Sequence, residues 1–186
     1  FSIIRAVAAI ERANVAVLVI DANLGVSDQD AKIAGIAHER GKAAVIAVNK
    51  WDTIEKDEKT MNAFTKDIEN KLKYLSYAPK VFISALSGQR INKLLETIVA
   101  VDQNHTLRVQ TGVLNDILIE AMAINQPPSE KGRPLRIYYM TQAAVRPPTF
   151  VLFVNDKALL HFSYRRFIEN QIRHAFGFAG TPIHFI

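Results

Sequence analysis

Cysteine is absent from the 186 residues, which excludes disulfide staples, thiolate metal sites and a cysteine nucleophile and favours a reducing compartment. The cytoplasm is the expected address. No apolar run approaches the roughly 18 residues that a membrane span needs, and the N-terminus lacks the basic-then-apolar layout of a secretory leader. No membrane partner is expected. Proline is scarce at first and then frequent: six of the seven lie beyond residue 105. Charge of one sign is scarce too. Residues 1–105 carry 14 Lys/Arg against 13 Asp/Glu and residues 106–186 carry 9 against 5, so most of the net +5 belongs to the second part. A surplus of that size is compatible with a nucleic-acid partner without demanding one.

What is present reads as two domains. In residues 1–105 helical spacing (Ile3, Val7, Ile10) gives way to the unbroken apolar run Val15 to Ile20, which predicts a strand buried on both faces. Ser27, with Asp28 and Asp30 behind it, predicts a capped helix ending near Gly41. Ala43 to Val48 predicts a second strand and Lys80 to Ile83 a third. Met61, Phe64, Ile68 and Leu72, and then Ile91, Leu94, Leu95 and Ile98, mark helices. Helices alternating with strands imply an α/β fold, a parallel sheet with flanking helices. Residues 106–186 read as a small α+β unit: helix at Leu114 to Met122, strands at Leu135 to Thr141 and Thr149 to Val154, helix at Ser163 to Phe176 and a last strand at Pro182 to Ile186.

Ligands of open parallel sheets bind outside the carboxyl ends of the strands. The second predicted strand runs directly into Asn49-Lys50-Trp51-Asp52, and the third into Ser84-Ala85-Leu86. These residue types suit guanine. Its N1–H and N2 amino group are adjacent donors, which one ionised carboxylate, Asp52, accepts together, whereas adenine turns an acceptor toward it. Asn49 can hold the loop and contact the other edge of the base, and the stem of Lys50 can lie along the purine face. The Ala85 N–H can donate to the base carbonyl. Trp51 either shields the outside of the loop or touches nucleotide.

The pair Asn-Lys-x-Asp and Ser-Ala-Leu resembles the base-recognition motifs of Ras-like P-loop GTPases. With Trp51, the stretch from Phe1 through Ile10-Glu11-Arg12-Ala13, Asp21-Ala22 after the first strand and the trailing α+β unit, the whole chain resembles the C-terminal part of the Der (EngA) family of ribosome-assembly GTPases. The resemblance implies the back half of a Ras-like GTPase domain followed by a KH-like domain. It also implies GTP and GDP as ligands, magnesium held by residues outside this stretch, and GTP hydrolysis in the full-length protein. The implied partners are a preceding GTPase domain of the same protein and the rRNA of the large ribosomal subunit. A non-catalytic RNA- or protein-binding module built on the second domain is the alternative.

Two parts of that machinery have no counterpart in the sequence. A P-loop needs Gly-x-x-x-x-Gly-Lys-Ser/Thr, and the nearest string, Gly35 to Gly41-Lys42-Ala43, has the wrong spacing, no hydroxyl and the position of a helix terminator. No Asp-x-x-Gly follows a strand. The 186 residues alone are therefore expected to bind guanine nucleotide weakly and to hydrolyse none. Because the P-loop strand of a Ras-like sheet lies beside the first strand here, that strand is expected to present an open edge.

In the second domain Gly177-Phe178-Ala179-Gly180 follows a helix and leads into a strand, so it reads as a helix stop with Phe178 packed inward rather than as an RNA clamp. Arg165, Arg166 and Arg173 stand off the apolar face of the preceding helix as a possible RNA-contacting stripe. Tyr138, Tyr139, Phe150 and Phe153 are expected in the core or as cross-strand pairs. His105, His161, His174 and His184 have neither metal-ligand spacing nor triad logic.

Overall fold

The structure, a computed structural model, describes residues 2–186; Phe1 lies outside the described residues. The chain divides into two compact units. One runs to His105 and takes back Ala179–Pro182; the other comprises Thr106–Phe178 and Ile183–Ile186.

The first unit is built from α1 (Ser2–Arg12), β1 (Val15–Asp21), α2 (Asp28–Glu39), β2 (Ala43–Asn49), α3 (Thr60–Lys71), β3 (Lys80–Phe82) and α4 (Ile91–His105). The strands form a parallel sheet in the order β1-β2-β3. Alternation along the central strand sorts its side chains between two cores. Ala44, Ile46 and Val48 pack with Ala34 of α2 and Ile68 of α3, whereas Ala43, Val45 and Ala47 pack with Val81, Ile83 and Val101 of α4. Ser27 begins α2 with a full capping box: its hydroxyl accepts the Asp30 N–H while the Asp30 carboxylate accepts the Ser27 N–H.

One expectation fails in β1. The run Val15 to Ile20 is not buried on both faces; Val19 is 55% exposed and Val17 36%. β2 is buried from Ala43 to Val48 because it is central, while β1 lies at the sheet's edge, and of its α4-side residues only Val15 joins that core. An apolar run thus marks a strand but not its place in the sheet.

Residues Ala179–Pro182 close this unit from a distance in sequence. The Gly180 carbonyl accepts the Ala44 N–H at 2.8 Å and its N–H donates to the Tyr77 carbonyl at 2.8 Å. The Thr181 hydroxyl lies 2.7 Å from Nδ1 of buried His105. Gly180 has φ +81, and a Cβ there would stand 2.3 Å from Val101 Cγ2, so this docking requires glycine.

The second unit contains α5 (Thr111–Ile124), a two-stranded hairpin of β4 (Ser129–Glu130) and β5 (Arg133–Pro134), then β6 (Ile137–Ala144), β7 (Thr149–Val154), α6 (Phe162–Phe176) and β8 (His184–Phe185). β6 and β7 are antiparallel and β8 joins β7 in parallel. The hairpin is an addition to the expected order; its turn uses Lys131 and Gly132, both at positive φ, the backbone a tight hairpin requires. Leu114, Leu118, Met140, Phe150, Ile168, Ile172 and Phe178 form the core. Gly177 at φ +89 stops α6, and Phe178 is fully buried, as a helix stop predicts.

The aromatic strand residues divide between the two expected places, Tyr138 excepted. Phe150 is core, Tyr139 and Phe153 are a cross-strand pair with stacked ring centroids 4.2 Å apart on the exposed face, and Tyr138 is exposed without joining either. The helices cover the face of Met140 and Phe150, leaving the opposite face of the sheet to this pair. No helix among the described residues is long and apolar enough to cross a membrane.

Candidate functional site

The carboxyl ends of β1, β2 and β3 lie side by side because the sheet is parallel, and the two polar loops follow directly from β2 and β3. Their meeting point is a side chain. Asn49, the last residue of β2, accepts the Ala85 N–H on Oδ1 at 2.9 Å. Beneath it, the Trp51 N–H donates to the Ile83 carbonyl at 3.0 Å and the Ile83 N–H to the Val48 carbonyl at 2.8 Å. The two loops are thereby fixed as one rim.

Each sequence-predicted site residue has a distinct place on it. Asp52 is exposed and forms no hydrogen bond or ion pair among the described residues, so both carboxylate oxygens are available to donors. Lys50 adopts the left-handed backbone conformation, φ 62 and ψ 32, at a cost on the order of 1 kcal/mol for a residue with a Cβ. The Thr53 N–H and hydroxyl both donate to the Lys50 carbonyl, at 3.1 and 2.8 Å, and hold that turn. Ser84 is fully buried; its hydroxyl accepts the Ser87 N–H at 3.2 Å and its N–H donates to the Gln89 carbonyl at 3.1 Å, closing the loop after β3. Leu86 is 94% exposed on the outside of that loop.

Two of the expected residues are engaged within the protein. Of the two places open to Trp51, it takes the shielding one: it is 2% exposed, with Phe64 edge-on at 5.1 Å and Phe82 at 4.5 Å. The three-residue helical turn Trp51–Thr53 drives its indole down into the α2/α3 core, and Lys56 lies over the ring at 5.8 Å. The Ala85 N–H, expected to face a base carbonyl, is donated to Asn49 instead.

The loop after β1 contributes residues that pattern reading did not identify as part of the site. The parallel register pairs Asp21 with Asn49. Asp21 receives the Lys50 ammonium at 2.7 Å and the Asn23 N–H at 2.8 Å; these bonds, led by Lys50, hold its carboxyl below the ordinary range. The Ala22 N–H donates to the Asn49 carbonyl at 2.9 Å, and the Asn23 side-chain amide donates to the Thr53 hydroxyl at 2.9 Å. The usable signal was positional: a polar residue closing one apolar strand lies level with the polar residue closing its parallel neighbour.

On α6, Arg165 and Arg166 are exposed, with the Arg165 guanidinium over the Phe162 ring at 5.6 Å. Arg173 differs from both. It donates to Glu169 at 3.1 Å and to the Phe178 carbonyl at 3.0 Å, so its guanidinium is committed to the C-terminal turn of its own helix rather than presented on a basic stripe. Among the described residues no group of three His, Asp or Glu side chains could hold a metal ion.

Comparison with known proteins bears on the two units as follows. Residues 3–104 match the elongation factor Tu GTP binding domain, and residues 108–186 match the KH-domain-like region at the C-terminus of EngA bacterial GTPase enzymes. The class is therefore part of a GTPase-type α/β domain followed by a KH-like domain. The chain is 63% identical over 185 residues to GTPase Der of Lachnoclostridium phytofermentans and 62% identical over 186 residues to GTPase Der of Lachnospira eligens, covering 100% of this chain and 42% of each relative. It belongs to the GTPase Der (EngA) family, and it spans about two-fifths of the length of these relatives. Among solved structures, Era in complex with MgGDPNP and nucleotides 1506-1542 of 16S ribosomal RNA is 19% identical, covers 96% of this chain and 66% of that one, and has a TM-score of 0.45.

Proposed function

We propose that this chain supplies the guanine-recognition rim and the KH-like domain of a longer protein that binds and hydrolyses GTP in the assembly of the large ribosomal subunit. The observation that carries the reading is the Asn49–Ala85 bond, which ties the loops after β2 and β3 into one rim with an unpaired carboxylate on it. In this reading Asp52 accepts the N1–H and N2 amino group of guanine, the stem of Lys50 lies along the purine face, and Asn49, Ser84 and Ala85 shape the wall. Leu86 continues that wall at its exposed outer side. Selectivity follows from burying polar groups that only guanine pairs. Phosphate handling, magnesium binding and the hydrolytic step belong to parts of the protein outside this stretch. The exposed Arg165 and Arg166 support rRNA phosphate as the partner of the second unit.

Nucleotide titrations on the full-length protein test the base assignment. Replacing GDP by IDP removes only the N2 amino group and weakens binding by about tenfold, the value of one hydrogen bond to a charged acceptor, and ADP binds far more weakly still. Equal affinity for GDP and IDP contradicts a carboxylate that holds both donors.

A further inference from the structure

The loop after β1 has no part in the contacts to the base described above, yet it holds the base-recognition loop through bonds to Asn49, Lys50 and Thr53. Asp21 divides its two oxygens between two tasks: Oδ1 accepts the Asn23 N–H at 2.8 Å and shapes its own turn, while Oδ2 receives the Lys50 ammonium at 2.7 Å. Its side chain is 23% exposed and that of Lys50 55%, so the carboxylate is the sheltered anchor and the lysine the more exposed partner. Around this pair, Ala22 holds the Asn49 carbonyl, Asn23 holds the Thr53 hydroxyl, and Thr53 holds the Lys50 carbonyl. Backbone and side chain of Lys50 are thus fixed at opposite ends by separate groups.

We infer that Asp21 is a positioning residue for nucleotide binding: by fixing the Lys50 ammonium it lays the lysine's four-carbon stem along one line, forming a preorganised apolar floor for the purine. The inference rests on the guanine reading above. A free lysine stem samples many rotamers and loses that freedom each time a base settles on it; a stem already tethered at its tip loses less, so the tether strengthens binding without touching the ligand. A purely structural ion pair on an exposed rim would instead contribute little and only to folding.

Asp21→Asn separates these cases. The amide keeps the volume and keeps Oδ1 for the Asn23 N–H, but it turns an NH2 group toward the ammonium and ends the tether. In the full-length protein, titrated with a fluorescent GDP analogue, Asp21→Asn weakens binding by about five- to tenfold, the worth of one charge-assisted hydrogen bond, with the change in the dissociation rate and the thermal midpoint unmoved. Lys50→Met weakens binding in the wild-type background and has a much smaller effect in the Asp21→Asn background, because the tether is already gone. Asp52→Asn, assayed alongside with xanthosine diphosphate, reports on the base reading itself. Unchanged affinity in Asp21→Asn, or a loss matched by a lowered thermal midpoint and additive with Lys50→Met, overturns the positioning role while Asp52→Asn still exchanges guanine for xanthine. Failure of Asp52→Asn to make that exchange overturns the base reading and the inference together.

Discussion

Asn49 and Ala85, 36 residues apart in sequence, are joined by a 2.9 Å hydrogen bond from the Ala85 backbone N–H to the Asn49 side chain. That contact makes a single site out of two loops that follow different strands. Asn49→Ala removes the acceptor and frees the loop after β3. The expected outcome is a loss of about 1 kcal/mol in stability, the net value of one such bond, together with a larger loss in GDP affinity, because both loops then have to be ordered on binding. Urea denaturation and nucleotide titration of the same variant measure the two quantities.

Trp51 is the only tryptophan in the chain and is almost fully buried against Phe64 and Phe82. Trp51→Ala is expected to destabilise this unit by about 3–5 kcal/mol, as for other large aromatic side chains removed from a core. Trp51→Phe costs less, since a second ring fills part of the space. The indole's fluorescence is expected to be blue-shifted in the folded protein and to respond little to added nucleotide. A strong quench on adding GDP would return Trp51 to the site.

Gly180 is expected to resist substitution through two separate effects. Its φ of +81 disfavours any residue with a Cβ, and the added carbon meets Val101 at 2.3 and 2.6 Å. Gly180→Ala should cost about 2 kcal/mol or more. Val101→Ala in the same chain should recover only the steric part, leaving the backbone part in place; thermal unfolding of the single and double variants separates them.

The carboxyl of Asp21 is expected to titrate below the ordinary 3.8, because Lys50 and the Asn23 N–H stabilise its charged form. For a depressed carboxylate the linked stability is present above the unfolded-state value and is lost as pH falls through the folded one. The loss therefore lies on the acid side of 3.8, and the pair is intact at neutral pH. Carboxyl NMR titration follows it directly, and Lys50→Met should move the midpoint back toward 3.8.

How much of this was legible in the sequence depended on the range of the interaction. Elements with periodic apolar positions and local caps, such as α2 behind Ser27 or β2 between Ala43 and Val48, announce themselves through contacts a few residues long. The exposure of Val17 and Val19 did not, because an edge and a centre of a sheet can carry the same apolar letters and differ only in their neighbours. The β4–β5 hairpin was hidden by its brevity, with two residues in each strand around Lys131 and Gly132. At the site, the motif residues Asn49, Asp52 and Ser84 were visible as polar letters ending strands. The fate of Trp51 was decided by a helical turn that points it inward, and that of Arg173 by an acceptor beyond the end of its helix, the Phe178 carbonyl. Asp21 became part of the site only through the parallel register that sets it beside Asn49.

Asp52 chooses the base in this reading, and exchanging its carboxylate for an amide tests that most directly. In the full-length protein, Asp52→Asn is expected to lose GDP binding by about a hundredfold or more, since the N2 amino group then faces an amide NH2, and to gain affinity for xanthosine diphosphate, whose carbonyl accepts from the new amide. Retention of guanine preference by Asp52→Asn would contradict the account.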